Sequence, residues 1–217
     1  LVTSGRAVND GELNQFIEIF SEIRNQCNIE LCASMGLITK QQLQKLKDAG
    51  ITQYHCNIET APSFFKKVCT THTIEEKVQT IKWAQEIGLE ACSGGIIGMG
   101  ESMEQRVEMA FTLKELGIKS IPINVLNPIE GTGMHGTKPL SEDEILTTIA
   151  IFRFVNPNAY LRFAGGRILI RHFQERALRA GINASIVGDM LTTIGSNIKE
   201  DIVDFTKAGF SVNSMNE

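Results

Sequence analysis

The sequence predicts an α/β fold, a TIM-type (β/α)8 barrel missing its first βα unit. Three observations carry that reading. Short apolar runs alternate with amphipathic segments along the chain, the length suits one core, and polar or sulfur-bearing residues recur at the ends of the runs. With 217 residues, 42% hydrophobic and 21% charged, the composition is globular and excludes disordered and collagen-like chains. One domain over residues 1–217 is expected, with 210–217 as a carboxyl-terminal tail.

The elements follow from period. Apolar residues at Leu13, Phe16, Ile17, Phe20 and Ile23 predict a helix over about 10–25, and the run 29–33 follows. A helix over about 40–48 stops at Gly50, a run covers 54–58, and a helix over about 74–87 stops at Gly88. The run 89–93 leads to a helix over about 103–116, closed by Gly117, and to the run 120–126. Ser141 with Glu144 three residues on is a capping-box start for the next helix. The run 160–164, a helix over about 168–178 and the run 184–187 complete the series. Leu1 to Gly5 read as the end of a strand, so seven runs alternate with six helices, and an upstream unit would make eight.

Charge and hydropathy exclude two partner classes. Lys and Arg number 21 against 25 Asp and Glu, for a net charge of -4, which is a poor footprint for nucleic acid. No stretch reaches the roughly 18–20 apolar residues of a membrane span and no amino-terminal signal is present, so a cytoplasmic protein is expected. Five cysteines without framework spacing predict reduced thiols and open the way to metal or redox chemistry.

In such a barrel the chemistry lies at the carboxyl ends of the strands. Cys32, then His55, Asn57 and Glu59, then Cys92 in Cys-Ser-Gly-Gly, then Asn124 and Arg162 occupy those places. Strand alternation puts His55, Asn57 and Glu59 on one face, with Cys56 and Ile58 toward the helices, so Cys56 reads as packing. Inward amides, thiols, a carboxylate and a guanidinium are costly to bury unless they bind something. Cys32 and Cys92 divide evenly between small hydrophobes and metal ligands, and Arg162 needs an anion, a carboxylate or something it can ligate. Cys27 and Cys69 read as packed hydrophobes; His72, His135 and His172 read as solvated or locally bonded. The segment 92–101 is glycine-dense but lacks a Walker lysine and the dinucleotide fingerprint.

Seven stretches, in order, are similar to the biotin synthase family of the radical S-adenosylmethionine superfamily. They are Val2 to Arg6, Cys32 to Gly36, Tyr54 to Thr60, Cys69 to Thr73, Cys92 to Glu101, Ile121 to Asn124 and Arg162 to Arg167, and the resemblance runs from Leu1 to about Gly209. It implies a barrel that inserts sulfur into dethiobiotin to form biotin. One 4Fe-4S cluster cleaves S-adenosylmethionine to a 5'-deoxyadenosyl radical, and an auxiliary 2Fe-2S cluster donates the sulfur. The resemblance assigns Cys32, Cys92 and Arg162 to the auxiliary cluster, with a further cysteine just before Leu1. It assigns Asn57, Asn124 and His55 to dethiobiotin, and Asn57, Glu59, Lys77 and Ile96 to S-adenosylmethionine. No catalytic residue beyond the cluster ligands is implied. His55 stands where well-known members have asparagine, and Lys77 where many have arginine.

The CxxxCxxC motif that ligates the 4Fe-4S cluster is not among these residues, so it is expected upstream, and the fragment alone is expected to be inactive. The resemblance further implies an electron donor such as flavodoxin or ferredoxin and a homodimer of the intact protein. The rivals are a related radical barrel, such as the iron-iron hydrogenase maturase or methylornithine synthase, and a silent barrel that only binds a ligand or partner.

Overall fold

The computed structural model describes residues 1–188 and 197–212. Its centre is a curled parallel sheet of strands β1 (Cys32–Ala33), β2 (Gln53–His55), β3 (Glu90–Cys92), β4 (Gly95–Ile97), β5 (Ser120–Val125), β6 (Tyr160–Phe163) and β7 (Ala184–Ser185). The spatial order is β1-β2-β3-β5-β6-β7, with β4 pairing β5 beyond the end of β3. Val2 adds a parallel bridge to Ser34 outside β1. This is the partial (β/α) barrel that the strand-helix alternation predicts.

The helices outside the sheet are α1 (Asp10–Gln26), α2 (Lys40–Asp48), α3 (Pro62–Val68), α4 (Ile74–Glu86), α5 (Met103–Glu115), α6 (Glu142–Val155), α7 (Gln174–Ala180) and α8 (Ile198–Lys207). Side-chain chemistry sets where they begin. Capping boxes open α1, α2, α4, α5 and α6, from Asn9, Thr39, Thr73, Ser102 and Ser141, each satisfying two otherwise orphaned groups. The core lies between the outer face of the sheet and these helices. Ala33, Tyr54, Ile121 and Leu161 from strands, and Leu13, Leu43, Ile81, Leu113 and Ile149 from helices, are all buried.

Three departures from expectation have local causes. The segment α3 lacks enough turns to show a period, yet Pro62 at its first position presets the helical backbone. The expected helix over 168–178 is two 3-10 turns, Arg167–Leu169 and Arg171–Phe173, before α7. No side-chain cap starts a helix there, and Arg167 is drawn aside to Asp201 and Gln174. The run 29–33 pairs only at Cys32 and Ala33, because Ile29 is exposed ahead of the sheet. The end of the expected tail, 213–217, lies outside the described residues.

Candidate metal and ligand site

Register brings the inward residues of four strands together. His55 on β2 pairs with Cys92 on β3, Cys92 with Ser120 on β5, and Pro122 on β5 with Arg162 on β6. The Cys92 sulfur thereby becomes a hub: Arg162 Nη2 approaches Sγ to 2.5 Å, and His55 Nδ1 lies 3.2 Å from it. Cys32 on β1 lies near enough to Cys92 and Arg162 for their charges to bear on its thiol. The Nε of the Arg162 guanidinium is buried with no partner. Such a group is costly to leave unmatched.

Burial dominates the electrostatics. It pushes the Cys32 thiol up to about 11, helped by Cys92 and opposed by the Arg162 cation. It also raises Cys92, against the opposing charge and hydrogen bond of Arg162. For His55, burial and then the positive charges of Arg162 and Lys77 hold the imidazole down at about 4, so the ring is neutral near pH 7.

A second group forms one layer further along the strands. Lys77 on α4 is buried and its Nζ lies 3.0 Å from Glu59 Oε1. Glu59 has a φ of 67°, the sole non-glycine at positive φ among the described residues. Its carbonyl accepts from Ile96 N at 2.7 Å and its amide donates to Gly94 O at 3.3 Å. The Asn57 Oδ1 accepts from Gly94 N at 2.9 Å. Asn124 ties β4 to the loop after β6, its Nδ2 donating to Gly95 O at 3.0 Å and its Oδ1 accepting from Gly165 N at 2.8 Å. Glycine is required where these strands meet: a Cβ on Gly94 would fall 2.0 Å from Pro122 O, and one on Gly95 2.5 Å from Glu59 O.

Residues 2–113 match the family model described as the radical SAM superfamily, and residues 122–211 that of the biotin and thiamin synthesis associated domain. Over 213 residues the chain is 55% identical to a biotin synthase of Parabacteroides distasonis, covering 98% of this chain and 65% of that protein. It is 50% identical over 212 residues to a biotin synthase of Clostridium botulinum strain Loch Maree, covering 98% and 67% respectively. The chain belongs to the biotin synthase family.

It spans about two thirds of the length of these relatives, 65% and 67%. Among solved structures, methylornithine synthase superposes with a TM-score of 0.78 at 18% identity, over 92% of this chain and 64% of that one. The hydrogenase maturase HydG of Carboxydothermus hydrogenoformans gives 0.78 at 16%, over 96% and 54%. These two share the barrel, whereas identity at the level of half the residues singles out biotin synthases.

The two thiols and the guanidinium suit a soft, sulfur-rich metal cluster better than a hard cation. Among the described residues no carboxylate pairs with Arg162, and no group of three His, Cys, Asp or Glu side chains is arranged to hold a metal ion. Every inward residue expected from sequence falls in one of the two groups: Cys32, His55, Cys92 and Arg162 in the first, and Asn57, Glu59, Lys77, Ile96 and Asn124 in the second.

Cys56 packs in the core as expected, whereas Cys27 is exposed at the end of α1 instead of packed, because the helix cap turns it outward. Cys69 is half-buried against the core, and its sulfur meets the His72 ring at 3.4 Å. One arrangement was not anticipated. Glu101 accepts from Gly98 N at 2.7 Å, Met99 N at 2.8 Å and Arg106 Nε at 2.7 Å, fixing the glycine-rich segment from below. A carboxylate just after a glycine turn, five residues before an arginine, was the available signal.

Proposed function

We propose that the chain is the barrel portion of a biotin synthase, converting dethiobiotin to biotin by a 5'-deoxyadenosyl radical mechanism. The observation that carries this reading is the convergence of Cys32 from β1, Cys92 from β3 and Arg162 from β6, with no carboxylate paired to Arg162 among the described residues. When bound, a 2Fe-2S cluster at these three residues supplies sulfur, while a 4Fe-4S cluster with S-adenosylmethionine supplies the radical.

The residues of the chain bind, orient and exclude water. Cys32 and Cys92 give up their protons on taking metal, and the fixed positive charge of Arg162 offsets the negative charge so created. Lys77 presents its ammonium toward a substrate carboxylate, and Glu59 accepts from ribose hydroxyls, the two holding each other in place at 3.0 Å. Ile96 offers an apolar edge to the adenosyl group. Asn57 and Asn124 orient the ureido ring. Asn124 keeps one Nδ2 hydrogen free after its bond to Gly95, and Asn57 keeps its whole Nδ2, so both retain donors for a carbonyl. A flavodoxin or ferredoxin as electron donor, a homodimer and a cytoplasmic setting belong to the same reading. In it both matched regions form one barrel domain.

The test is Cys92→Ala in a full-length synthase carrying this sequence. The auxiliary-cluster absorbance is lost after anaerobic reconstitution, while reductive cleavage of S-adenosylmethionine stays measurable. Retention of that absorbance sinks the assignment.

A further inference from the structure

We propose that His55 donates a hydrogen bond from Nδ1 to the Cys92 sulfur and thereby raises the reduction potential of the auxiliary cluster. This rests on the cluster assignment above and adds a role to it. The imidazole belongs to the register partner of Cys92, with Nδ1 at 3.2 Å from Sγ. A metal-bound thiolate carries no proton and can only accept. The ring nitrogen facing it must then be the protonated one, which fixes the tautomer and leaves Nε2 as an acceptor.

Hydrogen bonds to the sulfur ligands of iron-sulfur clusters are among the determinants of their potential. A donor withdraws negative charge from the thiolate, and the one-electron reduced state, which carries one more negative charge, gains more from it than the oxidised state. Cys92 also faces Arg162 Nη2. The imidazole Nδ1 is engaged by sulfur, so His55 serves the cluster rather than the ureido ring through that atom.

The experiment uses the full-length synthase carrying this sequence, reconstituted anaerobically, and reads the midpoint potential of the auxiliary cluster. His55→Phe keeps a flat ring without a donor. It is expected to retain the auxiliary absorbance and to shift the one-electron reduction equilibrium about tenfold toward the oxidised state, about 59 mV. His55→Gln, which retains an N–H, shifts it less. Equal potentials in wild type and both variants overturn the inference, as does an equal fall in Phe and Gln.

A second measurement needs no substitution. With histidine labelled by nitrogen-15, electron-nuclear spectroscopy of the reduced cluster is expected to show a weak coupling to the label. Its absence overturns the inference. Failure of the cluster assignment reads differently, as auxiliary absorbance that survives Cys92→Ala.

Discussion

Arg106 and Arg162 are both drawn inward in this barrel, and their surroundings are opposite. Arg106 has a side chain 4% exposed beside Glu101 at 1%, with Nε at 2.7 Å from the carboxylate and Nη1 at 3.9 Å from Glu144. Its charge is matched within the chain, and its effect is to hold the loop from Gly98 to Glu101. Arg162 reaches a thiol with Nη2 and leaves Nε buried without a partner. A buried guanidinium with its own carboxylate is part of the scaffold, whereas one that meets a thiol and leaves Nε unmatched suits a place where negative charge is brought in. The contrast separates the framework of the barrel from the chemistry it carries.

The sharpest attack on that contrast is Arg106→Met, which strands Glu101 as an unpaired buried anion. The expected loss is about 3–5 kcal/mol in a urea titration of the full-length protein. A loss under about 1 kcal/mol would mean that the pair is not structural. Next comes Asn124→Ala. It removes the partners of Gly95 O and Gly165 N and should cost about 1–3 kcal/mol by the same titration. A neutral result would make Asn124 a free ligand group rather than a clamp that also binds.

Arg162→Met, by comparison, relieves an unmatched cation. Stability of the iron-free protein should change by no more than about 1 kcal/mol, while loading of the auxiliary cluster drops. A destabilisation as large as that of Arg106→Met would erase the distinction between the two arginines.

The smallest effect concerns two thiols that the chain handles differently. At Cys69 burial pushes the thiol up, but hydrogen bonds with Thr71 and His72 and the charge of Lys77 outweigh it, so its pKa lies below the ordinary thiol value. Cys56 is buried and pushed up to about 11, chiefly by burial. Because the thiolate reacts, alkylation at Cys69 should rise and level off at lower pH than for an unperturbed thiol, with Cys56 unmodified throughout. Peptide mapping after iodoacetamide at several pH values reads both.

Much of this was legible beforehand because two signals repeat along the chain. Apolar periodicity and terminal signals located α1, α2, α4, α5 and α6, and strand parity assigned Cys56 outward and His55 inward. What escaped depends on contacts between distant segments. The strand β4 reads as a glycine loop because its pairing partner is β5, and Glu101 acquires its meaning from backbone amides that only the fold turns toward it. The His55 to Cys92 contact spans 37 positions and needs the register of β2 on β3, which no local pattern encodes.

The main chain at Glu59 has a consequence for how this site could drift. Both its amide and its carbonyl are rungs to the neighbouring strand, so the left-handed turn there cannot relax. Aspartate adopts that turn with less penalty than glutamate, but it is one methylene shorter and would fall short of the ammonium on α4. The position sets conformational ease against reach, and a shorter acid could succeed here only alongside a longer or more branched cation across from it.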